Sequence, residues 1–222
     1  MYRNVQDNFK NNWFEKIDGI VYINLEKRED RKKLILDELA KLETDMNRVN
    51  KVSGVYIPKN GHKGCIQSHI IALKMAKMNR WDSIMIFEDD MELKVSPEVF
   101  NNSINGILDY FKSNDTKWDI IMLATCNSKK DPVEGTDFVK VKQATTSSAY
   151  IVNSKYYDTI LDLFIHCNNN MSRDKWGKNG DWEPYALDQQ WNELIKNDNW
   201  YGFKNDLIKQ RAISSTINGE KE

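Results

Sequence analysis

Cysteine is scarce in this chain, and what there is lies scattered. Cys65, Cys126 and Cys167 are odd in number, far apart and without any Cys-x-x-Cys spacing. That pattern argues against a disulfide framework and a thiolate zinc site, and for a reducing compartment. Charge of one sign is lacking too. The 32 basic and 33 acidic side chains leave a formal charge of -1, so no chain-wide field draws in nucleic acid or an anionic membrane. Long apolar runs are missing as well. Residues 1–8 hold no apolar core of signal-peptide length, and no later run approaches the ~20 residues of a membrane span. The expectation is a soluble, cytoplasmic protein that binds no nucleic acid. No internal repeat, low-complexity tract or linker divides the 222 residues. Three Asn-x-Ser/Thr triplets begin at Asn101, Asn114 and Asn170, as chance produces in an Asn-rich chain.

What is present is a 40% apolar, 11% aromatic composition, enough for one sizeable core. Strand-like and helix-like segments alternate, which predicts an α/β sheet with helices on its faces. Residues 20–25 read as the first strand. Residues 28–42 carry Leu34, Ile35, Leu39 and Leu42 on one helical stripe, and so read as a helix covering that sheet. A short strand is expected around 52–55, a turn-rich loop over 58–64, and a second helix from about 66 to 80. Residues 119–123, 138–141 and 148–152 read as later strands, and 156–165 and 188–196 as later helices.

The strongest single signal is Ile84-Met85-Ile86-Phe87 running into Glu88-Asp89-Asp90. The apolar run predicts a strand buried on both faces. A period of two then sends Glu88 and Asp90 to one side and Asp89 to the other. Two carboxylates converging at a strand's carboxyl end suit Mn²⁺ or Mg²⁺, although an acidic loop after a strand can also be mere solvation. Ligands of open α/β sheets bind at such ends, and the first strand's end supplies Arg28 and Arg31, three residues apart near a helix start that favours anions. The alternative there is a solvated helix start laced with its own ion pairs.

Together these residues resemble glycosyltransferase family 25, which includes bacterial lipooligosaccharide transferases and procollagen galactosyltransferases. The resemblance is carried by Ile23-Asn24-Leu25 with Arg28 and Arg31, Gly64-Cys65 with Ser68-His69, and Ile86 to Asp90. It continues through Trp118 to Leu123, Ser148-Ala149-Tyr150, Asp188-Gln189, and Gln210 with Ser214 to Ile217. It spans about residues 18–217 and implies one domain there, with residues 1–17 as an extension and 218–222 as a tail. The family implies a GT-A type, Rossmann-like mixed sheet with helices on both faces. It also implies a UDP-sugar donor, a divalent cation, and inverting transfer of a hexose to a hydroxyl of a saccharide or hydroxylated peptide.

Carried over residue by residue, Glu88 and Asp90 resemble metal ligands that bridge the donor diphosphate, with Asp89 facing ribose or sugar hydroxyls. Asn24, Leu25, Arg28 and Arg31 resemble a nucleotide-contacting segment, and Gly64 and His69 a second one, with His69 as a phosphate donor or, alternatively, a structural residue that holds a loop. An inverting transferase needs a base for the acceptor hydroxyl. Asp188 is the nominee, with an N-cap role as its structural alternative and Asp181 and Glu183 as substitutes. Tyr185 and Trp191 could stack on sugar rings, and Trp176, Trp182, Trp191 and Trp200 form either a carbohydrate-facing wall or core. Ser215-Thr216-Ile217 departs from the family's Ser-Asp-Ile. A metal-dependent phosphoesterase, a glycosidase and a nucleotide-sugar-binding protein without turnover remain as rival readings.

Overall fold

The structure is a computed structural model and describes residues 12–171 and 184–212. After a short 3₁₀ turn at Trp13–Lys16, the order is β1 (Gly19–Asn24), α1 (Glu29–Lys41), β2 (Val49–Ser53), α2 (Gly61–Asn79), β3 (Ser83–Glu88), β4 (Met91–Leu93), α3 (Pro97–Ser113) and β5 (Ile120–Met122). There follow β6 (Cys126–Pro132), β7 (Phe138–Thr145), β8 (Ala149–Asn153), α4 (Tyr157–Asn170), α5 (Leu187–Gln190), α6 (Asn192–Ile195), β9 (Trp200–Phe203) and β10 (Ile208–Gln210). Eight strands form one mixed sheet in the order β2-β1-β3-β8-β5-β9-β7-β6, and β10 pairs with β4 in a separate ribbon.

β1 runs parallel to β2 and β3, since α1 and α2 are the crossovers that return the chain to the same end. All six residues of β1 are buried, which explains the apolar run Ile20 to Ile23. The sheet separates two cores. On one face Ile66, Ile70 and Leu73 of α2 and Ile160 and Phe164 of α4 pack against Val21, Ile86 and Tyr150. On the other, Ile35 and Leu39 of α1 and Phe100, Ile104 and Ile107 of α3 pack against Tyr22, Met85 and Phe87. The architecture is thus the expected α/β mixed sheet with helices on both faces. Trp13, Phe14 and Ile17 belong to the second core.

Several expected boundaries move, each for a local reason. β2 covers 49–53 rather than 52–55, because its register pairs Ile20 with Val49 and Asn24 with Ser53. α2 starts at Gly61, not near Ile66. Asn60 accepts a 3.0 Å hydrogen bond from the Lys63 N–H and starts the helix inside the expected loop, as Asn does at an N-cap. The helix expected over 188–196 is broken into α5 and α6. The reason is Trp191, fully buried at the break, whose indole N–H donates to the Ala144 carbonyl at 2.8 Å. Trp191 and Trp200 are both core, edge-to-face at 5.4 Å; Trp176 and Trp182 lie outside the described residues. Among the described residues no helix is long and apolar enough to cross a membrane.

Candidate functional site

β3 pairing ends at Glu88, whose N–H is held by the Ser148 carbonyl at 2.9 Å. Asp89 and Asp90 then occupy a turn, so the expected two-residue alternation does not continue through the triplet. A single nitrogen, Nη1 of Arg31, reaches both Asp89 Oδ1 at 2.8 Å and Asp90 Oδ2 at 3.4 Å. Asn24 Nδ2 donates to Asp89 Oδ2 at 2.8 Å, and Gln210 Nε2 to Asp90 Oδ2 at 3.2 Å. Glu88 has its own partners: Oε1 meets His69 Nε2 at 3.1 Å and accepts from the Ser147 hydroxyl.

The charges follow from this arrangement. Burial, helped by the nearby Glu88, raises the Asp90 carboxyl to about 7 despite Arg31. Burial raises Asp89 as well, against the pull of Arg31 and Asn24. Burial would lift Glu88 too, but the hydrogen bond and charge of His69, with Ser147 and Arg31, bring it net below its usual value. Asp90 Oδ1 and Asn24 Oδ1 are buried and have no hydrogen-bond partner among the described residues.

Beside the triplet lies a cleft lined by Asn24, Leu25, Arg31, His69, Glu88 and Asp89, with Gly54 to Ile57 opposite. Asp90 instead lines a neighbouring depression with Thr125, Thr146, Asp206 and Gln210. Arg28 and Gly64 line neither of these depressions. Arg28 forms a two-pronged contact with Asp30 at 2.7 and 2.8 Å, which holds the Asp30 carboxyl down at about 2. Gly64 lies within α2, and a Cβ there would meet the Val55 carbonyl at 2.3 Å. Its role in the fold is therefore the close approach of helix to strand-exit backbone.

Asp188 is the second residue of α5, whose N-cap is Ala186, so the N-cap alternative falls. Its Oδ2 accepts from the Thr146 N–H at 2.9 Å, and burial together with Glu88 raises its carboxyl. Thr146 is a β-branched residue at φ 75°, a strained conformation that needs outside support. It receives that support from Asp188, Ser148 and Gln210. Tyr185 stands against His166 at 6.1 Å between ring centres. Asp181, Glu183 and Ser214 to Ile217 lie outside the described residues.

The sequence-based expectations name no Ser147, and they give Cys65, Tyr150 and Gln210 no role. The available signal was the unbroken polar run Thr145 to Ser148 directly before a strand; the structure buries all four residues, and most buried polar groups find partners.

No family model matches this chain, and no curated protein matches it. Three solved structures have similar chain traces at low identity. One is described as mannose-1-phosphate geranyltransferase from Thermus thermophilus (9% identical, over 90% of this chain and 76% of that one, TM-score 0.47). Another is a glycosyltransferase involved in glycosylation of the major capsid of PBCV-1 (10%, 88% and 94%, TM-score 0.48). The third is A197 from STIV (11%, 88% and 95%, TM-score 0.45).

Proposed function

We propose that this protein is a metal-dependent inverting glycosyltransferase that moves a hexose, galactose or glucose, from a UDP-sugar to a hydroxyl of a saccharide or hydroxylated peptide. The observation that carries the reading is Asp90. Its Oδ2 is engaged by Arg31 and Gln210, while Oδ1 is buried without a partner in a carboxyl pushed up to about 7 by burial and by Glu88. An unpartnered buried oxygen beside a second carboxylate suits a hard divalent cation.

Glu88 and Asp90 are the residues that would hold Mn²⁺ or Mg²⁺. Bound there, the ion supplies the positive charge that offsets the charge growing on the leaving nucleotide diphosphate. The protein's own groups divide the remaining work. Asn24 offers the cleft a buried acceptor oxygen, fit for an N–H or O–H of the nucleotide. Arg31 fixes Asp89 and Asp90 and keeps their paired charges tolerable inside the protein. Leu25, on the cleft wall, provides apolar contact. Asp188 takes the proton of the acceptor hydroxyl: its raised carboxyl binds a proton more readily than an exposed one, and Thr146 holds it in orientation.

The test is thermal unfolding with UDP, UDP-galactose, UDP-glucose, GDP-mannose or CMP-sialic acid, each with and without Mn²⁺, on the wild type and Asp90→Asn. Stabilisation by uridine nucleotides that requires Mn²⁺ and vanishes in the variant is the expected result. No shift with any nucleotide sinks the reading. Binding without transfer or hydrolysis would instead mark a nucleotide-sugar-binding protein.

A further inference from the structure

Cys65 and His69 stand four residues apart on α2, and so lie on one helix face a turn apart. That face meets β3 where Glu88 leaves the sheet. The Cys65 Sγ, a His69 ring nitrogen and a Glu88 carboxylate oxygen all lie within 4.8 Å of one another. The His69 Nε2 to Glu88 Oε1 separation is 3.1 Å. In a tetrahedral zinc site, bond lengths of about 2.0–2.3 Å place neighbouring ligand atoms about 3.3–3.8 Å apart. A cation entering this triangle therefore needs shifts of about an ångström, within the reach of side-chain rotation.

Two further observations support a site. The other nitrogen of His69, Nδ1, is 2.8 Å from the Tyr150 hydroxyl, the outer contact that turns a chosen nitrogen toward a metal. A hydroxyl can both donate and accept, so Tyr150 serves His69 with or without an ion. All three ligand residues also line the cleft, which gives a path of entry and leaves a fourth position for water or a ligand atom.

We propose that Cys65, His69 and Glu88 bind a thiophilic divalent cation of the zinc type. The zinc site goes beyond the donor site described above and does not depend on it; only its competition for Glu88 rests on that reading. A sulfur, nitrogen and oxygen set selects Zn²⁺ or Co²⁺, whereas the oxygen pair of Glu88 and Asp90 suits Mn²⁺ or Mg²⁺. On binding, the Cys65 thiol releases its proton to solvent as the sulfur–metal bond forms, and nothing is oxidised or reduced. Glu88 is common to both sets, so zinc at this site draws it from the other, and Zn²⁺ antagonises the Mn²⁺-dependent binding of nucleotide.

The experiment is titration of the metal-free full chain with Co²⁺, read by absorption and followed by displacement with Zn²⁺. One equivalent should produce a thiolate-to-cobalt charge-transfer band with the intense visible bands of a four-coordinate ion, and Zn²⁺ should abolish both. Cys65→Ser should remove the charge-transfer band, and His69→Gln should weaken binding at least tenfold. Cys126→Ser should leave band and affinity unchanged. Circular dichroism checks folding, and Cys65→Ser decides the matter should His69→Gln fail to fold. A wild type without the band, a band that survives Cys65→Ser, or one lost in Cys126→Ser overturns the proposal. The donor reading is decided separately, by nucleotide binding in Mn²⁺.

Discussion

His69 joins two elements through its two ring nitrogens: Nε2 lies 3.1 Å from Glu88 Oε1, and Nδ1 lies 2.8 Å from Tyr150 Oη. In the metal-free protein an ionised Glu88 can only accept. The ring therefore donates to it from Nε2, and Nδ1 pairs with the Tyr150 hydroxyl. His69 is 1% exposed and Tyr150 fully buried, so neither contact has water as a substitute. Tyr150→Phe should cost about 1–2 kcal/mol, the penalty for one buried ring nitrogen left without its partner. His69→Ala should cost more, about 2–4 kcal/mol, because a cavity is added. Urea unfolding midpoints at constant slope measure both, and a Tyr150→Phe protein as stable as wild type would contradict the bond.

Arg31 is the cation of the acidic turn, held against Asp89 and Asp90 on a side chain with 8% exposure. Breaking a buried pair from one side leaves uncompensated charge and typically costs about 3–5 kcal/mol. Arg31→Met should approach that loss at pH 8. At pH 5 the loss should shrink, because both carboxyls already lie above their usual values and protonate readily once the guanidinium is gone. Chemical unfolding at the two pH values, with chelator present, checks the difference.

How much of this was legible beforehand can be argued from the same residues. The strand, its abrupt acidic end and the first helix were readable, because an apolar run and a helical stripe report burial directly. Arg28 and Arg31 looked equivalent as charges, yet they part company in the fold. Arg31 shares the stripe of Ile35 and Leu39 and turns inward, while Arg28 precedes the helix and pairs with Asp30. Helical phase carried that distinction, and charge pattern did not. α3 was also within reach: Ser96 caps it ahead of Pro97, and Phe100, Ile104, Ile107 and Phe111 share a face. β6 was not, since six of its seven residues are exposed and its strand form comes from pairing with β7. Nor was the meeting of Glu88 with His69, Ser147 and Cys65, which depends on how α2 and the β7–β8 connection pack against the sheet.

Asp90 predicts a pH dependence. Its carboxyl sits near about 7 in the folded protein against 3.8 ordinarily, so between those values the folded form holds a proton that the unfolded form has lost. Stability then falls as pH rises through this window, with the full penalty present above 7. Without divalent cations, Asp90→Asn should melt above the wild type at pH 8, and the gap should be smaller at pH 5, closing only as pH falls toward 3.8. Adding Mn²⁺ at pH 8 should raise the wild type alone. Parallel melting curves at the two pH values settle the sign.

Gly64 offers a test of packing that touches no charge. A methyl group there would lie 2.3 Å from the Val55 carbonyl oxygen, a backbone atom that cannot swing aside. Ser68 ties the same region, donating to the Gly64 carbonyl at 2.7 Å and accepting from the Val55 N–H at 2.8 Å. Gly64→Ala gains helix propensity worth up to about 1 kcal/mol, yet overpacking of this kind costs about 1–3 kcal/mol or more. The net should be a loss of stability, and an unchanged or raised melting temperature would show that α2 can back away from β2.

Asp188 carries two separable tasks, and two substitutions divide them. Its Oδ2 holds the N–H of Thr146, a residue at φ 75°, and its carboxyl is proposed to take the acceptor's proton. Asparagine keeps an oxygen for Thr146 but cannot accept a proton at neutral pH. Asp188→Asn should therefore fold and bind donor nucleotide as the wild type does, while transfer falls by about 10²- to 10⁴-fold. Alanine removes the support too, and should also cost about 1–3 kcal/mol of stability as the strained turn loses its acceptor. The wild-type rate should drop as pH falls through the raised carboxyl of Asp188, because the protonated form cannot act as base. Transfer retained in Asp188→Asn, with that acid limb intact, would move the base elsewhere and leave Asp188 a support for Thr146 alone.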